Sequence, residues 1–135
     1  MRVLPFVSDD NDYFHPALSK DGMRLYFSSN RPGGRGGADL YSFSLHPDSA
    51  NNVPVLLGDH INTEGDELFP TIMGDTLFFS SNGLPGLGGL DIYAAKMEGT
   101  NIANPINAGT PMNSSYDDFG LIWISSKHRG LFSSN

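Results

Sequence analysis

Leu25-Tyr26-Phe27-Ser28-Ser29-Asn30 decides the fold, because it comes back twice. It returns as Leu77-Phe78-Phe79-Ser80-Ser81-Asn82, 52 residues on, and as Gly130-Leu131-Phe132-Ser133-Ser134-Asn135, a further 53 residues on. The match runs past the hexamer: Arg31-Pro32-Gly33-Gly34-Arg35-Gly36-Gly37-Ala38-Asp39-Leu40-Tyr41 aligns with Gly83-Leu84-Pro85-Gly86-Leu87-Gly88-Gly89-Leu90-Asp91-Ile92-Tyr93. Between these stretches, the segments beginning Gly58-Asp59-His60-Ile61-Asn62 and Gly109-Thr110-Pro111-Met112-Asn113 align at a spacing of 51. Pro16 and Pro70 are 54 apart, so two extra residues fall between Leu18 and Arg24, around Lys20-Asp21-Gly22. Asp-Gly is a hairpin-turn dipeptide, and turns are where length varies without cost to strands.

Each period reads as four short strands. In the first they are Phe14 to Ser19, Arg24 to Ser29, Ala38 to Leu45 and a weaker one near Val53 to Leu57. The second strand is a dense apolar run suited to burial on both faces, and a long Gly-Pro loop, Asn30 to Gly37, follows it. The order repeats from Leu68 to Gly109, and a third period holds Phe119 to Ile124, a turn at Lys127 to Gly130 and the next strand. No segment sustains the i, i+3, i+4 apolar spacing of an amphipathic helix. Four antiparallel strands in a period of roughly fifty residues is the size of a propeller blade. The expectation is therefore an all-β chain: one partial β-propeller domain, 1–135, with blades at 13–65 and 66–116 and an incomplete one at 117–135. A last blade of two strands exposes an unpaired edge, which predicts either a piece of a larger product or self-association of copies.

Composition narrows function by exclusion. Fifteen acidic against eight basic side chains give a net charge of −7, which supplies no basic face for nucleic acid or an anionic membrane surface. With no cysteine, disulfides and thiolate metal sites are ruled out, and the compartment stays open. The longest apolar stretches are far too short to span a bilayer, and Met1 to Val7 is not a signal peptide.

The recurring residues have structural readings. Ser28, Ser29 and Asn30, like Ser80, Ser81 and Asn82, end a strand with small polar groups, and Asn tolerates a left-handed backbone. Gly36-Gly37 and Gly88-Gly89 either hold positive φ or allow close backbone approach. Asp39 and Asp91 stand between the loop and the third strand, where a carboxylate can collect loop N–H groups and staple loop to strand. Tyr41 and Tyr93 follow two residues later, at matching places.

With His15-Pro16-Ala17-Leu18-Ser19-Lys20-Asp21-Gly22 ahead of this motif and Asp39-Leu40-Tyr41 after it, the chain resembles the WD40-like propeller repeat of the TolB type. The nearest flavour is that of Bacteroidetes cell-envelope proteins, where such propellers accompany an OmpA-type domain. Ile61-Asn62-Thr63-Glu64-Gly65-Asp66-Glu67 and Asp117-Asp118-Phe119-Gly120 are similar to that subgroup. Lys20 stands where the family prefers Pro, Gly74-Asp75 replaces the Asp-Gly turn, and Gly83-Leu84 replaces Arg-Pro. The resemblance implies a periplasmic or envelope location, five or more blades in the parent, and a role in binding.

Each candidate for catalytic or ligand chemistry has a plainer reading beside it. The acidic groups Asp9, Asp10 and Asp12, Asp66 and Glu67, and Asp117 and Asp118 recur in register and offer oxygen ligands for Ca2+. Their spacing is not that of an EF-hand, so solvated turns are expected and no cofactor is assigned. His15, His46, His60 and His128 lack zinc spacing, and His15 reads as a packed strand residue. There is no Gly-x-Ser-x-Gly elbow, and serines repeated once per blade make poor nucleophiles. Gly33-Gly34-Arg35-Gly36-Gly37 lacks the helix and Lys-Ser/Thr ending of a phosphate loop. Trp123, on a strand, reads as core.

The expectation is a non-enzymatic scaffold that binds a protein or cell-wall component through the loops Asn30 to Gly37 and Asn82 to Gly89. The contact residues are Arg31 and Arg35 in the first loop and Leu84 and Leu87 in the second. The rival is a glycan-acting hydrolase or lyase whose carboxylates converge on the channel.

Overall fold

The structure, a computed structural model, describes residues 3–46 and 53–135. Eleven β-strands and one 3-10 turn account for its regular elements, and there is no α-helix among the described residues. The strands form antiparallel sheets, none of them closed. The first sheet takes β1 (Tyr13–Leu18), β2 (Arg24–Ser29), β3 (Asp39–Ser44) and β4 (Val55–Leu56) in sequence order. The second takes β5 (Glu67–Met73), β6 (Thr76–Ser81) and β7 (Asp91–Glu98), with β8 (Asn101–Ile102) and β9 (Ile106–Asn107) both pairing β7. The third is the hairpin of β10 (Asp118–Ile124) and β11 (Arg129–Ser134).

The registers of the first two sheets coincide. Ser29 faces Asp39 as Ser81 faces Asp91, and Phe27 faces Tyr41 as Phe79 faces Tyr93. The weak fourth strand corresponds to β9, which meets Tyr93 and Ala94 as β4 meets Tyr41 and Ser42. β8 forms a tight hairpin with the end of β7 through Gly99-Thr100. The length difference sits where the indel was read. Leu18 pairs Leu25 and Ile72 pairs Leu77, so the connection is two residues longer in the first hairpin.

Each leading strand carries a bulge at one place. The register shifts between Phe14 and Ala17, between Leu68 and Thr71, and between Phe119 and Ile122. The first extra residue is left-handed every time: His15 at φ 49°, Phe69 at φ 54° and Gly120 at φ 70°. A bulky residue there costs roughly 1–2 kcal/mol, so packing must hold it. It does: the His15 and Phe69 rings stack at 3.7 Å, and Phe69 stacks on Phe119 at 5.0 Å. The Phe69 N–H, displaced from the ladder, donates to His15 Nδ1 at 3.4 Å. His15 is thus a packed strand residue, and burial draws its pKa below the usual imidazole value. Pro16 and Pro70 occupy the second bulge position, where a missing N–H costs no ladder bond.

Alternation along the strands gives each sheet two apolar faces. Tyr26 and Leu40 of the first sheet, with Leu57 and Ile61, pack on Leu77, Phe79, Tyr93 and Ala95 of the second. The opposite face of the first sheet, Phe27, Tyr41 and Phe43, is covered by Leu4, Phe6 and Tyr13. Phe6 stacks on Phe27 at 5.1 Å, and the Tyr13 hydroxyl donates to the Phe6 carbonyl at 3.0 Å.

Four sequence expectations are corrected. Trp123 is not core: it is 40% exposed on β10, its ring over Gly130 of the neighbouring strand. At the same pair of places the second sheet has Ile72 and Leu77, so a large residue over a glycine replaces two of middle size. Asn30 and Asn82 do not adopt the left-handed backbone; their side chains reach across to the preceding segment instead. Glu67 and Asp118 do not belong to solvated turns, since both are buried. The third turn also starts earlier than expected, with a 3-10 segment Ser125–Lys127 and a left-handed His128.

Candidate functional site

The two glycine-rich loops leave the sheets at the same end and are held by the same bonds. Asp39 Oδ2 accepts the Arg35 and Gly36 N–H groups at 2.8 and 3.2 Å. Asp91 Oδ2 accepts those of Leu87 and Gly88 at 2.5 and 3.2 Å. The expected staple is therefore present twice. In both, the second carboxylate oxygen, Oδ1, is buried without a protein donor. A tyrosine closes each loop from the far side: Tyr41 Oη donates to the Arg31 carbonyl, and Tyr93 Oη to those of Leu84 and Pro85.

Of the two readings of Gly36-Gly37 and Gly88-Gly89, close approach is the one the backbone adopts. A Cβ on Gly36 would strike the Glu64-Gly65 backbone, and one on Gly88 the Ser115-Tyr116 backbone. Gly37 N–H donates to the Gly65 carbonyl at 3.0 Å. Next to it, Asp66 Oδ1 accepts the Ala38 N–H and Asp117 Oδ1 accepts that of Leu90, each at 2.8–2.9 Å.

The segment that receives each loop is itself a buried polar lock. Asn62 is fully buried and bonds Leu40 N–H, the Leu40 carbonyl and the Leu57 carbonyl at 2.7–3.0 Å. Asn113 does the same with both backbone groups of Ile92 and with Asn107 Oδ1. Glu67 accepts from Thr63 N–H, Thr63 Oγ1 and Ser81 Oγ at 2.7–2.8 Å. Asp118 takes the N–H and hydroxyl of Ser114. Burial raises the Asp118 pKa, but the hydroxyl of Ser134 and both Ser114 groups outweigh it, so the net shift is downward. A satisfied charge of this kind is costly to break, because the carboxylate is buried and has no water to replace the lost donors.

These contacts locate each residue singled out in the sequence. Ser28, Ser29, Ser80 and Ser81 are buried; Ser29 Oγ donates to the Asp12 carbonyl at 2.6 Å, matching the bond from Ser81 to Glu67 in place. Asn30 bonds both ends of Asp12, and Asn82 both ends of Asp66. Arg31 lies over the Tyr41 ring at 5.5 Å. Arg35 Nη1 meets Asp59 Oδ2 at 2.8 Å in an exposed pair, which holds the guanidinium charged and adds little to stability. Leu84 is half-buried against the inter-sheet core, whereas Leu87 is 54% exposed. The structure thus brings the Asp, Tyr and Ser residues of each unit together and leaves Arg35 and Leu87 on the loop rims.

Sequence reasoning missed Asn62, Asn113, Glu67 and Asp118 as structural residues. The available signal was their recurrence at one spacing: Asn62 and Asn113 each stand five residues ahead of the acid that opens the next leading strand, Glu67 of β5 and Asp118 of β10. Among the described residues, no three His, Asp or Glu side chains gather as a set of metal ligands. No described helix is long and apolar enough to cross a membrane. Compared with known proteins, the chain matches no family model and no curated sequence.

Proposed function

We propose that the chain is a segment of a β-propeller and works as a non-enzymatic binding scaffold, presenting its glycine-rich loop rims to a protein or cell-wall partner in a bacterial envelope. The observation that carries this reading is the fate of the recurring polar residues. Asp39, Asp91, Glu67, Asp118, Asn62 and Asn113 each spend their hydrogen bonds on backbone or hydroxyl groups of this chain. Chemistry on a substrate needs a side chain left free to act; these hold loops still, and the two oxygens without a donor, Oδ1 of Asp39 and Asp91, are buried. The propeller reading is supported by sheets of matching register stacked face to face, and by leading strands that adjoin in turn, β1 beside β5 and β5 beside β10. The envelope setting rests on the resemblance to TolB-type repeats.

The test leaves the buried staples untouched. Arg35→Glu and Leu87→Asp change only exposed rim positions, so circular dichroism should be unaltered. Co-sedimentation with peptidoglycan sacculi, and cross-linking to envelope proteins, should then fall by roughly tenfold, the cost of losing about 1.4 kcal/mol of contact. Binding that is unchanged by the pair, or cleavage of a glycan panel by the intact chain, would overturn the proposal.

A further inference from the structure

At the opposite end of the sheets, away from the glycine-rich loops, the hairpin turns of the first and second sheets flank an open groove of about 800 Å³. Its walls include Arg24 and Tyr26 of β2, Lys20 and Met23 of the first turn, Ile72 of β5 and Met97 of β7. That volume suits a small organic ligand.

The polar groups of this groove are unusual within the molecule. Tyr26 is only 3% exposed; its hydroxyl still touches solvent and makes no hydrogen bond among the described residues. Packing does not require that hydroxyl, because the corresponding residues are Phe78 on β6 and Leu131 on β11. Arg24 is two residues away on the same face of the strand. Among the described residues its guanidinium makes one hydrogen bond, a long one from Nη1 to Ser42 Oγ at 3.4 Å. The corresponding residues are Thr76 on β6 and Arg129 on β11, so within the two stacked sheets the guanidinium belongs to the first alone. Neither Arg24 nor Lys20 has an ion-pair partner among the described residues. The nearby carboxylates are engaged: Asp21 accepts Ser19 Oγ and the Met23 N–H, and Asp75 pairs Lys96 at 2.8 Å. Burial pushes the Tyr26 pKa up, while Arg24 draws it down, which places the two groups in one electrostatic neighbourhood.

We propose that this groove binds an organic monocarboxylate with an apolar tail. The carboxylate takes the planar fork of Arg24 and the Tyr26 hydroxyl, with the Lys20 ammonium at the mouth. The tail lies on Ile72, Met23 and Met97. A single negative charge fits better than a phosphate dianion, because Asp21 and Asp75 flank the cations and repel a second charge. This site is separate from the loop rims of the scaffold reading and stands or falls without it.

The experiment is calorimetry and amide-resolved NMR titration of the full chain. Hexanoate represents a free fatty carboxylate and N-acetyl-leucinate the C-terminus of a peptide. Saturable binding of either, with shifts centred on Arg24, Tyr26 and Ile72, is the expected result, and the tighter one identifies the source. Arg24→Thr, which installs the β6 residue, should weaken it roughly tenfold or more, since a charge-assisted bond is lost. Tyr26→Phe should weaken it about fivefold with the fold intact. Arg129→Gln, an exposed cation on β11, should change nothing. Equal affinity for hexanol would show mere apolar adsorption, and tighter binding of hexyl phosphate would show the wrong anion class. Either result, or no saturable binding of both acids, would overturn the proposal.

Discussion

The same face of the first two sheets is buried in two different ways. In the second sheet, Leu77, Phe79, Tyr93 and Ala95 are covered by another sheet, through Tyr26, Leu40, Leu57 and Ile61. In the first, Phe27, Tyr41 and Phe43 are covered by residues 4–13, chiefly Phe6. Phe43 stands where the second sheet has Ala95, so a larger side chain accompanies the thinner cover. The buried carboxylate changes as well: Tyr13 pairs Ser29 where Glu67 pairs Ser81 and Asp118 pairs Ser134. The lesson is that a sheet of this size must find cover, and that the identity of the cover decides which side chains the sheet needs. The third sheet leaves its opposite face bare: Ile122 and Leu131, which stand where the second sheet has Thr71 and Phe78, are 62% and 59% exposed.

Substitutions can break this comparison, beginning where the cover is thickest. Phe79→Ala should cost about 3–5 kcal/mol, as expected for a large buried ring in a rigid site, measured by urea denaturation. Glu67→Gln should cost about 2–3 kcal/mol, because a buried charged acceptor of three donors is replaced by an amide that satisfies fewer. Phe6→Ala should cost about 2 kcal/mol, less than Phe79→Ala because Phe6 is half-buried. A cost for Phe6→Ala below that of an ordinary surface change, roughly 0.5 kcal/mol, would mean that the segment is not a structural cover.

Titration sharpens the contrast between the leading strands at smaller amplitude. The folded pKa of Asp118 is depressed, so its contribution is present above the unfolded value of 3.8 and is lost as pH falls through the lower folded value. Asp118→Asn should flatten the acid limb of a denaturation-midpoint profile in that range. His15 is also depressed, but as a base: below its ordinary 6.5 the unfolded chain binds the proton first, and stability falls as pH drops toward the folded pKa. His15→Phe places at β1 the ring that β5 already carries at Phe69, and should remove that slope.

Much of this fold was legible in the chain. The hexamer at Leu25 marks a strand each time it occurs, and the Asp39 and Asp91 staples follow from a carboxylate placed just after a glycine-rich loop. The burial of Glu67 and Asp118 was not legible, because a pair of acids beside a glycine or serine reads locally as a solvated turn. Their donors come from Thr63 and Ser114 on the same segment, but the water is excluded by residues far away in sequence. Trp123 failed for a related reason: strand periodicity names two faces and does not say which of them meets another sheet. Of the proposed contact residues, Arg31 and Leu84 could not be told from Arg35 and Leu87 until stacking on Tyr41 and the core was visible.

By itself, then, the order of residues determined strand positions, hairpin turns, the matching registers and the loop staples, all of which depend on neighbours a few places along the chain. Only the tertiary structure decided which apolar face found cover, which carboxylates lost their water, and that Tyr26, Arg24 and Lys20 line one groove with Met97. Those outcomes depend on contacts between residues some fifty or more positions apart, and local spacing carries no record of what arrives from that distance.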